Sequence, residues 1–252
     1  MDPARFNHPA LGVVEGLLAL RDYLTANRRD AAGQFAAYCA RNLAHSQAQL
    51  FQDLMVLFVL RAKTGGYFVE FGATDGIDLS NTVLLERQFH WKGLLAEPAR
   101  CWHAALRTNR QAAIDTRCVW SQSGQTLDFK EAEVKELSTL TSFVDRDLNS
   151  EGRRKGITYT VNTVSLNDLL REHNCPREID YMSIDTEGSE LPILQSFDFA
   201  SYDIKVITVE HNYREPERQK IMELLMAKGF ERLFEQMSKF DDWYVQRSII
   251  GL

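Results

Sequence analysis

Basic residues are the minority among the charges of this 252-residue chain: 29 Lys and Arg stand against 35 Asp and Glu, a net charge of −6. That balance argues against a broad nucleic-acid-binding face. Cysteine is scarce as well. Cys39, Cys101, Cys118 and Cys175 lie far apart, with no C-x-x-C pair and no histidine cluster beside them. This disfavours a zinc site or a disulfide framework and reads as reduced thiols in a cytoplasmic protein. No apolar run reaches the roughly 20 residues that span a bilayer; the stretch from Leu50 to Leu60 is too short and is broken by Asp53. Met1 to Ala10, with Asp2, Pro3 and Pro9, lacks the basic-then-apolar layout of a signal peptide. Neither secretion nor membrane insertion is therefore expected. Also missing are the phosphate-loop spacing G-x-x-x-x-G-K-[ST] and the dinucleotide fingerprint G-x-G-x-x-G. With 44% hydrophobic and 25% charged residues, the chain can still bury a substantial core, as one domain or as one domain with a helical extension.

What is present centres on Gly65 to Gly76, Gly-Gly-Tyr-Phe-Val-Glu-Phe-Gly-Ala-Thr-Asp-Gly. Tyr67 to Phe71 is a short apolar, β-rich run bounded by glycines, the pattern of a strand buried on both faces. Glu70 stands at its carboxyl end, and Gly72, Thr74 and Gly76 follow at two-residue steps. Ligands of open α/β sheets bind beyond the carboxyl ends of the strands, where glycines let backbone N–H groups approach them. A carboxylate just before such a loop repels phosphates and attracts a cationic, hydroxyl-bearing ligand, which favours S-adenosylmethionine over a nucleoside triphosphate. A plain strand-to-helix turn is the alternative.

In chain order, Leu11 to Leu24 and Ala31 to Leu43 carry helical periodicity and predict two helices ahead of the sheet, serving as a cover, a lid or an oligomer contact. Ser46 to Arg61 predicts a third helix with Ser46 as its cap. After the glycine loop, Leu79 to Thr82 opens another helix, and Gly93 to Glu97 reads as a second strand that Pro98 ends. Glu97 then lies one strand–helix–strand unit beyond Glu70, the place from which an acid accepts hydrogen bonds from ribose hydroxyls in nucleoside-binding α/β folds. A helix over Cys101 to Asn109, a third strand from Ile114 to Trp120 and a short strand from Leu127 to Glu131 follow. Ser138 to Arg154 reads as an irregular loop near the site, with Arg153, Arg154 and Lys155 as a solvated basic cluster or a catch for an acidic substrate.

A strand over Ile157 to Val164 and a helix capped by Ser165 lead to the densest chemistry. Ile179 to Asp185 is a strand running into Thr186-Glu187-Gly188-Ser189-Glu190, and Ile204 to Glu210 is another, running into His211-Asn212-Tyr213. Two successive strands thus deliver Asp185, Glu187, Glu210 and His211 to the edge that holds the glycine loop. Gln219 to Lys228 predicts a helix closed by Gly229. Phe230 to Phe234 and Trp243 to Gln246 predict a terminal antiparallel pair.

These segments resemble the FkbM-type methyltransferases, S-adenosylmethionine-dependent enzymes of the Rossmann-like class. The residues that carry the resemblance are Ser46-Gln47 with Gln52-Asp53-Leu54, Phe68 to Gly76, Ser80-Asn81-Thr82, Trp91 to Pro98, Ile179 to Glu190 and Val209 to Asn212, in that order between Ser46 and Tyr244. The resemblance implies a Rossmann-like class I methyltransferase fold over residues 46–252, mostly parallel with an antiparallel C-terminal strand, behind an N-terminal helical extension over residues 1–45. It implies a cofactor site built from Glu70, Gly72, Asp75 and Gly76, with Glu97 on the ribose, Asn81 near the methionine end and Asp185 near the transferred methyl. It also implies O-methylation of a hydroxyl on a natural product or sugar. The Glu-His-Asn run is a departure that puts a histidine in the site.

Methyl transfer is a displacement in which the acceptor oxygen attacks in line with the leaving sulfur, helped by a base or a metal. His211 is the first candidate base, oriented by Glu210 or Asp185. Alternatively, Asp185, Glu187, Glu210 and Asn212, with His211, offer hard donors to Mg²⁺ or Mn²⁺. A non-catalytic module that kept the fold is the reading of another class, and a nicotinamide-dependent dehydrogenase is disfavoured by the missing fingerprint. The expected partner is a small-molecule or saccharide acceptor, with no nucleic acid and no membrane.

Overall fold

The computed structural model describes residues 9–145 and 150–251. Met1 to His8, and Asn149 of the polar loop, lie outside the described residues. The chain divides into two compact units, the first ending at Ser46 and the second starting at Gln47.

The first unit holds α1 (Pro9–Ala26) and α2 (Ala31–Asn42). Asp30 caps α2 by accepting the Gly33 N–H. Along α1, Val13, Val14, Leu17 and Leu18 are exposed. No helix among the described residues is long and apolar enough to cross a membrane.

The second unit begins with α3 (Gln52–Val59), capped at Phe51, five residues later than the Ser46 cap predicts. The reason is local competition for backbone donors. Gln52 Oε1 accepts the Leu50 N–H and Asp53 Oδ2 that of Gln47, while Ala48 bridges to Leu79 and Phe51 turns left-handed at φ 62°. Then come β1 (Tyr67–Phe71), α4 (Val83–Phe89), β2 (Lys92–Ala96), α5 (His103–Asn109) and β3 (Ala113–Asp115).

The run from Ile114 to Trp120, expected as one strand, is two. The Arg117 N–H and guanidinium both fold back onto Asp115, the chain turns, and β4 (Cys118–Trp120) enters a different sheet. That sheet is completed by β5 (Thr126–Ala132), β6 (Thr139–Leu140) and β7 (Gly156–Ser165), in the order β4-β7-β5-β6. Between β6 and β7 lies the short helix α6 (Ser150–Arg154), so the polar loop expected over residues 138–154 is partly ordered structure. Its basic cluster is not solvated throughout, since the Arg153 side chain is fully buried.

After α7 (Leu166–Glu172), capped by Ser165, the chain completes the main sheet with β8 (Glu178–Ile184), α8 (Glu190–Ser196), β9 (Asp203–Glu210), α9 (Glu215–Ala227), β10 (Phe230–Leu233) and β11 (Asp241–Gln246). The seven-stranded order is β10-β11-β9-β8-β1-β2-β3, and β11 alone runs antiparallel to its neighbours. This is the Rossmann-like class I methyltransferase fold expected. One face packs Val69, Leu94, Met182 and Ile207 with Leu169 of α7, Leu194 of α8 and Leu225 of α9. Residues of the other parity, Phe68, Leu95, Tyr181 and Val206, are buried too, as a sheet covered on both sides requires. The order reverses between β1 and β8, and a crevice opens there beyond their carboxyl ends.

Candidate active site

A cavity of about 310 Å³ fills that crevice, within the range of small-molecule sites. Its lining includes Glu70, Gly72, Asn81, Glu97, Asp185, Glu187, Glu210 and Asn212, with Trp102, Phe129 and Leu140 on one wall and Leu79 and Tyr213 among the other lining residues. Asp75, Gly76 and His211 are not part of it.

Glu70 is held by the chain it was expected to serve. Its carboxylate accepts the Asn81 N–H at 2.8 Å and the Thr82 hydroxyl at 2.5 Å, and buried Arg110 stands 3.5 Å away. Its charge is thus answered internally while it fixes the start of α4. Arg110, which sequence reasoning missed, also reaches Glu86, the Gly76 carbonyl and Thr82, and so sets the outer side of the glycine loop. A side chain at Gly76 would meet Arg110 and Leu106 rather than a ligand. Asp75 caps the loop by accepting the Ile77 and Asp78 N–H groups. Gly72 lines the cavity at φ +75°, and the group it approaches closely is the Asp185 backbone carbonyl, 2.1 Å from where a Cβ would stand.

Glu97 follows β2 and is buried, accepting the Thr74 N–H at 2.9 Å and the Ala99 N–H at 2.7 Å. Burial pushes its carboxyl up to about 7, against the lowering effect of those two donors. Asn81 donates Nδ2–H to the Ser183 hydroxyl at 2.9 Å, yet its Oδ1 is buried without a partner among the described residues. An orphaned acceptor in a cavity wall calls for a donor from whatever fills the cavity.

At the carboxyl ends of β8 and β9, Asp185 and Glu210 hydrogen-bond to each other. Burial raises both: Asp185 to about 6, and Glu210 well above the usual carboxylate range because Asp185 and Glu187 also repel its charge. A proton on the pair thus favours Glu210, the more strongly raised of the two. Oxygens of Asp185, Glu187 and Glu210 lie within 4.8 Å of one another. Glu187 is matched by buried Arg153, a member of the basic cluster expected to be solvated or to catch an acidic substrate. Glu190 closes the loop behind, accepting from the Thr186 and Gly188 N–H groups.

His211 reaches the right edge but not the cavity. Its Nδ1 accepts the Tyr213 N–H at 3.1 Å, and its Nε2 faces Asp242 at 3.9 Å with no hydrogen-bond partner among the described residues. Burial lowers its pKa, opposed by Asp242. As placed, it braces a turn. Trp102 and Tyr213 line the cavity, whereas Trp243 is core.

Replacing Glu97 with alanine is expected to weaken binding of an adenosyl ligand about 10- to 100-fold, the worth of hydrogen bonds to a carboxylate. In the wild type that binding should strengthen as pH rises through about 7, where Glu97 ionises. Folding shows the opposite sign: a carboxyl raised from 4.5 contributes stability that is present below 4.5 and lost as pH rises through about 7. Calorimetric titrations at pH 6 and 8 check the first trend and urea unfolding the second.

The family described as methyltransferase FkbM domain matches residues 70–243. No curated protein matches the chain. Among solved structures, the precorrin-6y C5,15-methyltransferase of Geobacter metallireducens GS-15 is similar at a TM-score of 0.41 and 10% identity, over 77% of this chain and 84% of that one. A phosphoethanolamine N-methyltransferase 2 of Haemonchus contortus, in complex with phosphomonomethylethanolamine and S-adenosylhomocysteine, is similar at 0.38 and 12%, over 88% of this chain and 48% of that one.

Proposed function

Because the chain belongs to the methyltransferase FkbM family, we propose that it is an S-adenosylmethionine-dependent O-methyltransferase with Asp185 and Glu210 at the acceptor hydroxyl. The observation that carries this reading is the close carboxyl pair of Asp185 and Glu210, their oxygens within 4.8 Å, in the same cavity as Gly72, Asn81 and Glu97. The lining fits the cofactor. Glu97 accepts ribose hydroxyls, and the orphaned Asn81 Oδ1 accepts from the methionine ammonium. When bound, S-adenosylmethionine supplies an electrophilic methyl on a cationic sulfur.

The chain's own groups then hold the acceptor and take its proton. Asp185, the less strongly raised of the pair, accepts the hydroxyl hydrogen, and Glu210, raised further by burial and its acidic neighbours, stands against it to hold the proton the pair shares. Trp102, Phe129 and Leu140 dry one wall, which strengthens these interactions. A neutral acceptor such as a sugar or natural-product hydroxyl suits this end, since an anion would meet three carboxyls there. A divalent ion on Asp185, Glu187 and Glu210 is a second reading, favoured by the approach of their oxygens.

The test is transfer of a labelled methyl from S-adenosylmethionine to a panel of polyols, glycosides, phenols and amines, with and without chelator. The first reading expects labelled ethers, undiminished by chelator and cut at least about 100-fold in Asp185→Asn. Label on nitrogen alone would overturn it, and loss with chelator would favour the ion.

His211 then has a separate expectation. His211→Asn offers Oδ1 where Nδ1 accepts the Tyr213 N–H and should keep most of the transfer rate, whereas His211→Leu should lose it along with the turn. Were His211 the base, both would fall about 10²- to 10⁴-fold.

A further inference from the structure

A chain of hydrogen bonds runs into the carboxyl pair from the far side of the cavity. It starts at Arg153 of α6, whose guanidinium donates to Glu187 and, at 3.1 Å, to the Leu137 carbonyl. Leu137 lines the cavity wall ahead of β6, and Thr139 of that strand donates to the Glu187 carbonyl at 2.9 Å. Glu187 Oε2 also accepts from Asn212 Nδ2 at 3.0 Å, and the same nitrogen donates to Glu210 Oε2 at 2.8 Å. One amide nitrogen thus sits between two carboxyls, one fixed by a buried cation and the other facing the acceptor.

The backbone makes this geometry costly. Glu187 has φ +58° and Asn212 φ +45°, left-handed conformations that a glutamate adopts at a penalty and an asparagine more readily. Neither position uses glycine, although glycine would relieve the strain and Gly188 is next in the chain. Such strain persists where the surrounding contacts over-determine it. The contacts here are side-chain bonds that glycine could not make.

We propose that Arg153 and Asn212 are positioning residues for the methyl-transfer site, holding Glu210, through Glu187, against the place where the methyl is transferred. This rests on the cofactor reading above. The small second sheet and α6 thereby do more than wall the cavity, since they supply the cation at the head of the chain.

The test uses two ligands that need no acceptor. S-adenosylhomocysteine lacks the methyl, and sinefungin carries an amine-bearing carbon where the methyl sulfonium stands, so its preference over the former reads the carboxyls that face that point. Calorimetry on the wild type should give sinefungin an advantage of about tenfold or more, from a charge-assisted hydrogen bond. Asn212→Gly, which suits φ +45°, should keep its melting temperature and its S-adenosylhomocysteine affinity while that advantage falls to about twofold or less. Arg153→Met should lose it as well, and Arg153→Lys, a point cation without the fork, should restore part.

An undiminished advantage in Asn212→Gly would overturn the inference. So would a parallel fall of S-adenosylhomocysteine affinity and melting temperature, which marks a merely structural role. A wild type that binds S-adenosylhomocysteine without preferring sinefungin would overturn the inference and leave the cofactor assignment standing. No binding of either would remove the assignment first and the inference with it.

Discussion

Gly72→Ala is expected to abolish cofactor binding, with the dissociation constant for S-adenosylhomocysteine rising about 100-fold or more, equivalent to roughly 3 kcal/mol. Two effects combine. Residue 72 sits at φ +75°, where an L side chain pays the left-handed penalty, and its Cβ would stand 2.1 Å from the Asp185 carbonyl oxygen. That oxygen is backbone at the end of a central strand, so it cannot swing aside. Either the loop after β1 moves into the cavity or the end of β8 moves away, and in both cases the relation of Gly72 to Asp185 is lost. Gly65→Ala separates the effects. Its φ is +68° but nothing lies within 4 Å of the added methyl. It should cost about 1 kcal/mol of stability and leave binding unchanged. Equal losses of binding in the two variants would show that strain alone, and not the contact with Asp185, governs the site.

The second large effect lies behind the carboxyl pair. Asp241 of β11 is fully buried, accepts from Gln52 Nε2 and Trp243 Nε1 at 3.0 Å each, and is pushed by burial up to about 8. Its native carboxyl therefore holds a proton that the unfolded chain gives up near 3.8. Stability from this group is fully present below 3.8 and is lost as pH rises through about 8. Asp241→Asn keeps an acceptor for both donors and cannot ionise. Urea unfolding at pH 5 and pH 9 should find the variant slightly changed at the lower pH, and more stable than wild type by on the order of 3 to 5 kcal/mol at the higher. A difference that does not vary with pH would mean that Asp241 titrates near its ordinary value, with water or a cation reaching it.

Much of this site was legible in the sequence because strand ends are legible. Tyr67–Phe71 and the strands ending near Asp185 and Glu210 are continuous apolar runs, and a parallel sheet sends all such ends to one edge. Hence Glu70, Gly72, Asn81, Glu97, Asp185 and Glu210 come together as expected. What the sequence hid depends on side-chain direction and on distant partners. His211 follows Glu210 directly, and one residue along the chain turned its ring out of the cavity and onto the Tyr213 N–H. Arg110 and Arg153 lie 40 and 34 residues from Glu70 and Glu187, so that, although Arg153 stood out as part of a basic cluster, nothing local names the partner of either. The second sheet was hidden by Asp115 and Arg117, whose mutual contact breaks what reads as a single strand.

The most direct test of the whole account is calorimetric titration of the folded wild type with S-adenosylmethionine and S-adenosylhomocysteine, beside Glu97→Ala and Gly72→Ala. The account predicts saturable binding of both ligands by the wild type, weakened in Glu97→Ala and absent in Gly72→Ala. A wild type that is folded by circular dichroism and binds neither ligand would contradict it, and would leave the crevice between β1 and β8 as the pocket of a binding module without methyl-transfer chemistry.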